Sequence, residues 1–187
     1  MKAVTESEMR EVLSRFPELQ VDGKEVRFRD AEAQRFTIHL QNVEPHQLVF
    51  LARLVAALTH DECDFRSAYL WVTQWGVWNP NVEAVGLQTL DCYRRGFGEI
   101  RPLHDAPGHL FEQDELVSPV GCLLQPMLVG WDAYYIPRLA TGQLEYLIFV
   151  SHDSVLDIAV RTNEIRKVVE EVLSKRWVSE TRNAASE

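Results

Sequence analysis

The sequence predicts an α+β fold: an antiparallel sheet with helices packed on it, closing in a three-strand meander and an amphipathic helix. Three observations predict it. Residues 35–40 alternate strictly, with Phe36, Ile38 and Leu40 set against Arg35, Thr37 and His39, the pattern of a half-buried strand. Leu48, Leu51, Val55 and Leu58 recur at helical spacing. After Trp131, three short strand-like segments follow one another with only turn residues between them, which antiparallel pairing allows and parallel pairing does not.

The elements follow in chain order. Thr5 and Glu8 have the spacing of a capping box, and Met9, Leu13 and Phe16 continue as one helical stripe. Pro17 and the turn "VDGK" end that helix. "EVRFR" reads as the hairpin partner of the alternating strand at 35–40. "EPHQLVFLARLVAALTH" is a largely buried helix, with Pro45 in a first turn that has no use for its missing N–H. "HDECD" is a polar connection, and "SAYLWVTQW" is a strand by its aromatic and β-branched content. "NPNVEAVGLQTLDCYRRGFG" is a helix capped by Asn79 or Asn81 and ended at Gly96. Residues 98–111 read as a loop. "DELVSPVGCLLQPMLVG" is helical in pattern, but Pro119 and Pro126 are expected to break or bend it. "WDAYYIPR", "EYLIFVS" and "VLDIAVR" form the meander. In the last helix Asn163 is the cap, and Ile165, Val168, Val169, Val172 and Leu173 face inward. Residues 1–178 are expected to form a single domain and 179–187 a frayed tail.

Composition bounds the function. The chain has 187 residues, 46% hydrophobic and 25% charged, so it is long enough to bury a core without staples. A net charge of −9 argues against a nucleic-acid binder and against docking on an anionic membrane, and suits a neutral or basic partner. Cys63, Cys92 and Cys122 are an odd, widely spaced set and read as free thiols. The start, "MKAVTESEMREVL", is charged where a signal peptide is apolar, and no apolar run approaches the roughly 20 residues of a membrane helix. A reducing cytoplasm is the expected setting.

No catalytic, metal or cofactor motif stands out. His60, Asp61, Cys63 and Asp64 are ligand types, but they share one short connector rather than converging from separate elements. Ser151, His152 and Asp153 are the residue types of a hydrolytic triad. Adjacent residues on an extended chain point in alternate directions, so they read as a turn between strands. His104 and Asp105 lie in a loop long enough to carry function. Trp71, Trp75 and Trp78 fall within eight residues. Trp71 is expected in the core, because leaving it exposed forfeits the burial of about 150–250 Å². Trp75 and Trp78 flank Gly76 at the strand's end and are expected at an interaction surface.

The segment "GWDAYYIPRLATGQLEYLIFVSHDSVLDIAVRTNEIRKVVEEVL" resembles the SUKH superfamily of bacterial immunity proteins. It has an aromatic strand after a glycine, a turn, a hydrophobic strand ending in His-Asp, a short strand and a closing amphipathic helix. The resemblance implies an α+β fold without catalysis that binds a protein such as a toxin. The expected function is therefore a non-enzymatic, cytoplasmic protein-binding module, with a protein partner, a basic toxin among the candidates, and no cofactor. The candidate binding residues are Trp75, Trp78, His104, Trp131, His152 and Asp153. The rival reading is a small enzyme or ligand binder with a Trp-lined cleft and His104 or His152 as acid/base. A deep pocket holding two or more of these polar groups favours the rival.

Overall fold

The computed structural model describes residues 1–29, 33–41, 43–57, 65–76, 80–112, 115, 118–139 and 144–172. The fold is α+β. Strands β1 (Lys2–Val4), β4 (Gln34–His39), β5 (Phe65–Gln74), β6 (Gly108–Glu112), β7 (Asp132–Leu139), β8 (Tyr146–Ser151) and β9 (Val155–Val160) form one sheet in the order β1-β6-β5-β7-β8-β9-β4. Every pairing in it is antiparallel. Strands β2 (Leu19–Asp22) and β3 (Glu25–Phe28) form a separate hairpin, turned at Gly23 with φ +58°. The described residues also form five helices: α1 (Glu6–Ser14), α2 (Pro45–Ala57), α3 (Pro80–Arg95), α4 (Ser118–Val129) and α5 (Asn163–Val172).

The sheet is covered on both faces, and the period-two alternation of its strands decides which side chain meets which cover. Ala68, Leu70 and Val72 of β5 join Ala133, Tyr135, Ile148, Val150, Leu156 and Ile158 in a core shared with Leu48 and Leu51 of α2, Leu90 of α3, Leu123 of α4, and Ile165 and Val169 of α5. The opposite parity, Trp71, Tyr134, Ile136 and Leu147, packs with Met9 and Leu13 of α1 and with Leu19, Val26 and Phe28 of the hairpin. Trp71 is fully buried, as its sequence neighbourhood predicts.

The meander forms in sequential order, and the capping box at Thr5 and Glu8 is closed in both directions. Several expectations are corrected. "EVRF" pairs with Leu19–Asp22 and not with the strand at 34–39, which instead joins β9 at the sheet's edge. The hairpin forms because the Asp22–Glu25 turn is local, whereas pairing across residues 29–34 means closing a longer loop. The loop expected at 98–111 contains β6, an inner strand held between β1 and β5. Helix α4 runs past Pro126 to Val129, and Pro119 sits in its first turn where no donor is needed. At α5, Thr162 rather than Asn163 accepts a helix N–H, that of Ile165 at 3.4 Å. Val168 is 41% exposed, while Ile165 and Val169 are buried. Leu173, the tail and "HDECD" lie outside the described residues.

Candidate binding cleft

The hairpin and α1 cover the outer sheet face over β5 and β7. Beyond them, a cleft opens between the hairpin and the strands β8, β9 and β4. Its floor follows from the register. Phe149 of β8 stands opposite Tyr134 of β7 and opposite Asp157 of β9, which in turn faces Thr37 of β4. The next row is Leu147, Ala159 and Arg35. Ala159 is the small member of its row, and the space above it belongs to the cleft.

One chamber has a volume of about 570 Å³ and is lined from the hairpin side by Gln20, Glu25, Arg27 and Arg29 and from the sheet side by Arg35, Tyr134, Leu147, Phe149, Asp157 and Ala159. Tyr134 and Phe149 meet with ring centroids 4.6 Å apart. Burial pushes the Tyr134 hydroxyl above its ordinary pKa, against the opposing pull of the Val26 backbone. Arg29 donates from Nε to the Leu19 carbonyl at 2.8 Å, and Arg27 donates from Nε to Gln20 Oε1 at 3.3 Å. Thr37 donates its hydroxyl to Asp157 Oδ1 at 2.6 Å. A second chamber of about 580 Å³ adjoins the first through Glu25, Tyr134 and Phe149 and is otherwise lined by Asp22, Lys24, Thr73, Gln74 and Asp132.

The expected site residues are scattered relative to this cleft. Trp131 is fully buried, and its Nε1 donates to Glu83 Oε2 at 2.9 Å, so it offers no surface to a partner. A residue that follows Gly130 at a helix-to-strand junction lands in the core because α3 and the sheet close over it. Trp75 is half-buried, with the Lys24 ammonium 5.8 Å from its ring centroid. Trp78 lies outside the described residues. His104 is exposed, 3.3 Å from the carboxylate of its neighbour Asp105. Asp153 is exposed in the β8–β9 turn.

The fold joins His152 to a carboxylate twenty residues away in sequence. Asp132 Oδ1 accepts the His152 backbone N–H at 2.7 Å and lies 2.8 Å from its Nδ1. A proton on Nδ1 leaves Nε2 as the acceptor, the arrangement of a general base. Among the described residues, though, Nε2 faces Asp153 Oδ1 at 3.6 Å and no serine or cysteine nucleophile for acyl transfer. The Ser151 hydroxyl accepts from the Asp153 backbone instead. Asp132 thus ties the β8–β9 turn to the start of β7. No group of three or more His, Cys, Asp or Glu side chains suited to a metal occurs among the described residues.

Sequence reasoning missed Arg27, Arg29, Arg35, Tyr134 and Phe149. A signal for the first three was present: three arginines fall between positions 27 and 35 of an acidic chain. Compared with family models, with curated proteins and with solved structures, the chain matches none.

Proposed function

We propose that this chain is a non-catalytic binding module whose working surface is the cleft between the β2–β3 hairpin and the outer strands. The observation that carries this is the pair of adjoining chambers, about 570 and 580 Å³, over the Tyr134–Phe149 ring pair. Each has the size of a typical ligand site, and the combination of an aromatic floor with a few polar groups is the usual chemistry of one. Neither chamber is lined by two of the groups Trp75, His104 and His152, so the support goes to binding rather than to the Trp-lined, histidine-driven rival. The test is backbone amide shift mapping with a panel of neutral, anionic and cationic aromatic fragments. Shifts should cluster on residues 20–29, 134, 147–149 and 157–159, and Ala159→Leu, which fills the cleft from the floor, should abolish them. Shifts elsewhere, or none, refute the reading.

A second reading has its own observation. Helix α3 exposes Val82 at 48% and Val85 at 63%, one turn apart. Apolar side chains gathered on one helix face suit a protein partner, the kind of ligand the SUKH resemblance implies. Val85→Asp should then abolish capture of a toxin co-expressed with the chain while leaving its melting temperature unchanged; unimpaired capture removes the reading. A cytoplasmic setting belongs to the same proposal. Among the described residues no helix is long and apolar enough to cross a membrane.

A further inference from the structure

The cleft has a polarity that the whole chain does not. Overall the protein carries 28 acidic against 19 basic side chains. Among the described residues that line the first chamber the balance reverses, with Arg27, Arg29 and Arg35 against Glu25 and Asp157. Among the described residues, no carboxylate oxygen forms an ion pair within 4.0 Å with any of the three guanidinium groups. Arg27 and Arg29 use Nε for contacts to neutral oxygens, and those contacts orient the planar groups. Asp157 is engaged by the Thr37 hydroxyl. At the other end, Asp22, Glu25 and Asp132 outnumber Lys24.

Three arginines from two separate elements, the hairpin strand with its continuation and the edge strand β4, line one cavity. Like charges held together repel one another, and an oxyanion placed among them relieves that repulsion while accepting paired N–H donors from the flat guanidinium forks. We propose that the arginine end of the cleft binds the oxyanion head, carboxylate or phosphate, of a small organic anion whose flat apolar body lies on Tyr134 and Phe149. The carboxylates of the second chamber repel the head group and so fix the ligand's direction. This rests on the cleft being the binding surface, and it adds the chemical class of the ligand.

The test titrates the full chain, by calorimetry and amide shifts, with four probes: phenyl phosphate, benzoate, inorganic phosphate and benzyl alcohol. Phenyl phosphate or benzoate should bind at least about tenfold tighter than benzyl alcohol, since hydrogen bonds to a charged group are worth that much. Whichever of the two binds tighter identifies the head group. Inorganic phosphate should bind more weakly than phenyl phosphate, because it has nothing to lay on the rings. Arg35→Gln and Arg27→Gln should each erase most of the anion's advantage and leave benzyl alcohol unchanged, and added salt should act in the same direction. If neutral and anionic probes map to the cleft with equal affinity, the anion assignment falls and the cleft reading stands. If no probe shifts the cleft residues, both fall. Tight anion binding that survives both arginine substitutions places the site elsewhere and overturns the proposal.

Discussion

Replacing Trp131 by phenylalanine should destabilise the protein more than the same change at Trp71, although both rings are fully buried. The two substitutions remove the same atoms. Each leaves a partly filled space that costs about 1–2 kcal/mol through lost transfer and cavity terms. What differs is the indole N–H. At Trp71, Nε1 has no hydrogen-bond partner among the described residues, so phenylalanine forfeits no bond there. At Trp131, Nε1 holds Glu83 Oε2 at 2.9 Å, and Glu83 Oε1 is itself buried without a partner among the described residues. Gly86, one turn along α3, makes this approach feasible: a Cβ there would stand 2.8 Å from Val129 Cγ1 and 3.0 Å from Trp131 Cζ2. Trp131→Phe therefore leaves a partly buried carboxylate without its donor, a further cost of about 1–3 kcal/mol. Urea denaturation followed by circular dichroism should place Trp131→Phe about 2–5 kcal/mol below wild type and Trp71→Phe about 1–2 kcal/mol below. Adding Glu83→Ala to Trp131→Phe should recover part of the difference, a coupling of at least about 0.5 kcal/mol. Equal losses for the two variants, with no coupling to Glu83, refute the argument.

Two other substitutions probe the core. Val169→Asp puts a charge where the side chain is 1% exposed and should cost about 3 kcal/mol or more, while Val168→Asp, one residue away at 41% exposed, should change stability by less than about 0.5 kcal/mol; chemical denaturation of the pair decides whether α5 sits as described. His109 is fully buried, and burial, with Arg94 adding to it, holds its pKa down to about 3 from an ordinary 6.5. Between those values the unfolded chain binds a proton that the folded chain does not, so stability falls as pH drops through that window, by up to about 1.4 kcal/mol per unit. Glu99, held down to about 2 chiefly by its hydrogen bond from Arg101, contributes a loss of the same sign only below about pH 4.5. His109→Leu should therefore flatten the dependence of unfolding free energy between pH 6.5 and 5; an unchanged slope means that His109 is not held neutral by the fold.

What the sequence determined by itself was local. The Thr5–Glu8 cap, the alternation through Phe36 and Ile38, the burial of Trp71, and the order of the last three strands all depend on residues a few positions apart, and there the pattern and the structure agree. Period-two alternation also tells which residues share a face, but not what covers that face. Only the tertiary structure decided that. "GHLFE" became an inner strand because β1 and β5 flank it, which no pattern within five residues expresses. "EVRF" folded back on its neighbour, and its arginine then lined one cavity with Arg35 of an edge strand whose own partner, β9, lies more than a hundred residues away in sequence. Trp71 and Trp131 were drawn into the interior, since burying so much apolar surface is where their free energy lies. The cleft is formed by side chains of ordinary type, arginine, tyrosine, phenylalanine and alanine, and it exists only because strand register brings a small residue, Ala159, between Leu147 and Arg35. Register is set by long-range hydrogen bonding across the whole sheet, and that is the information a linear reading does not contain.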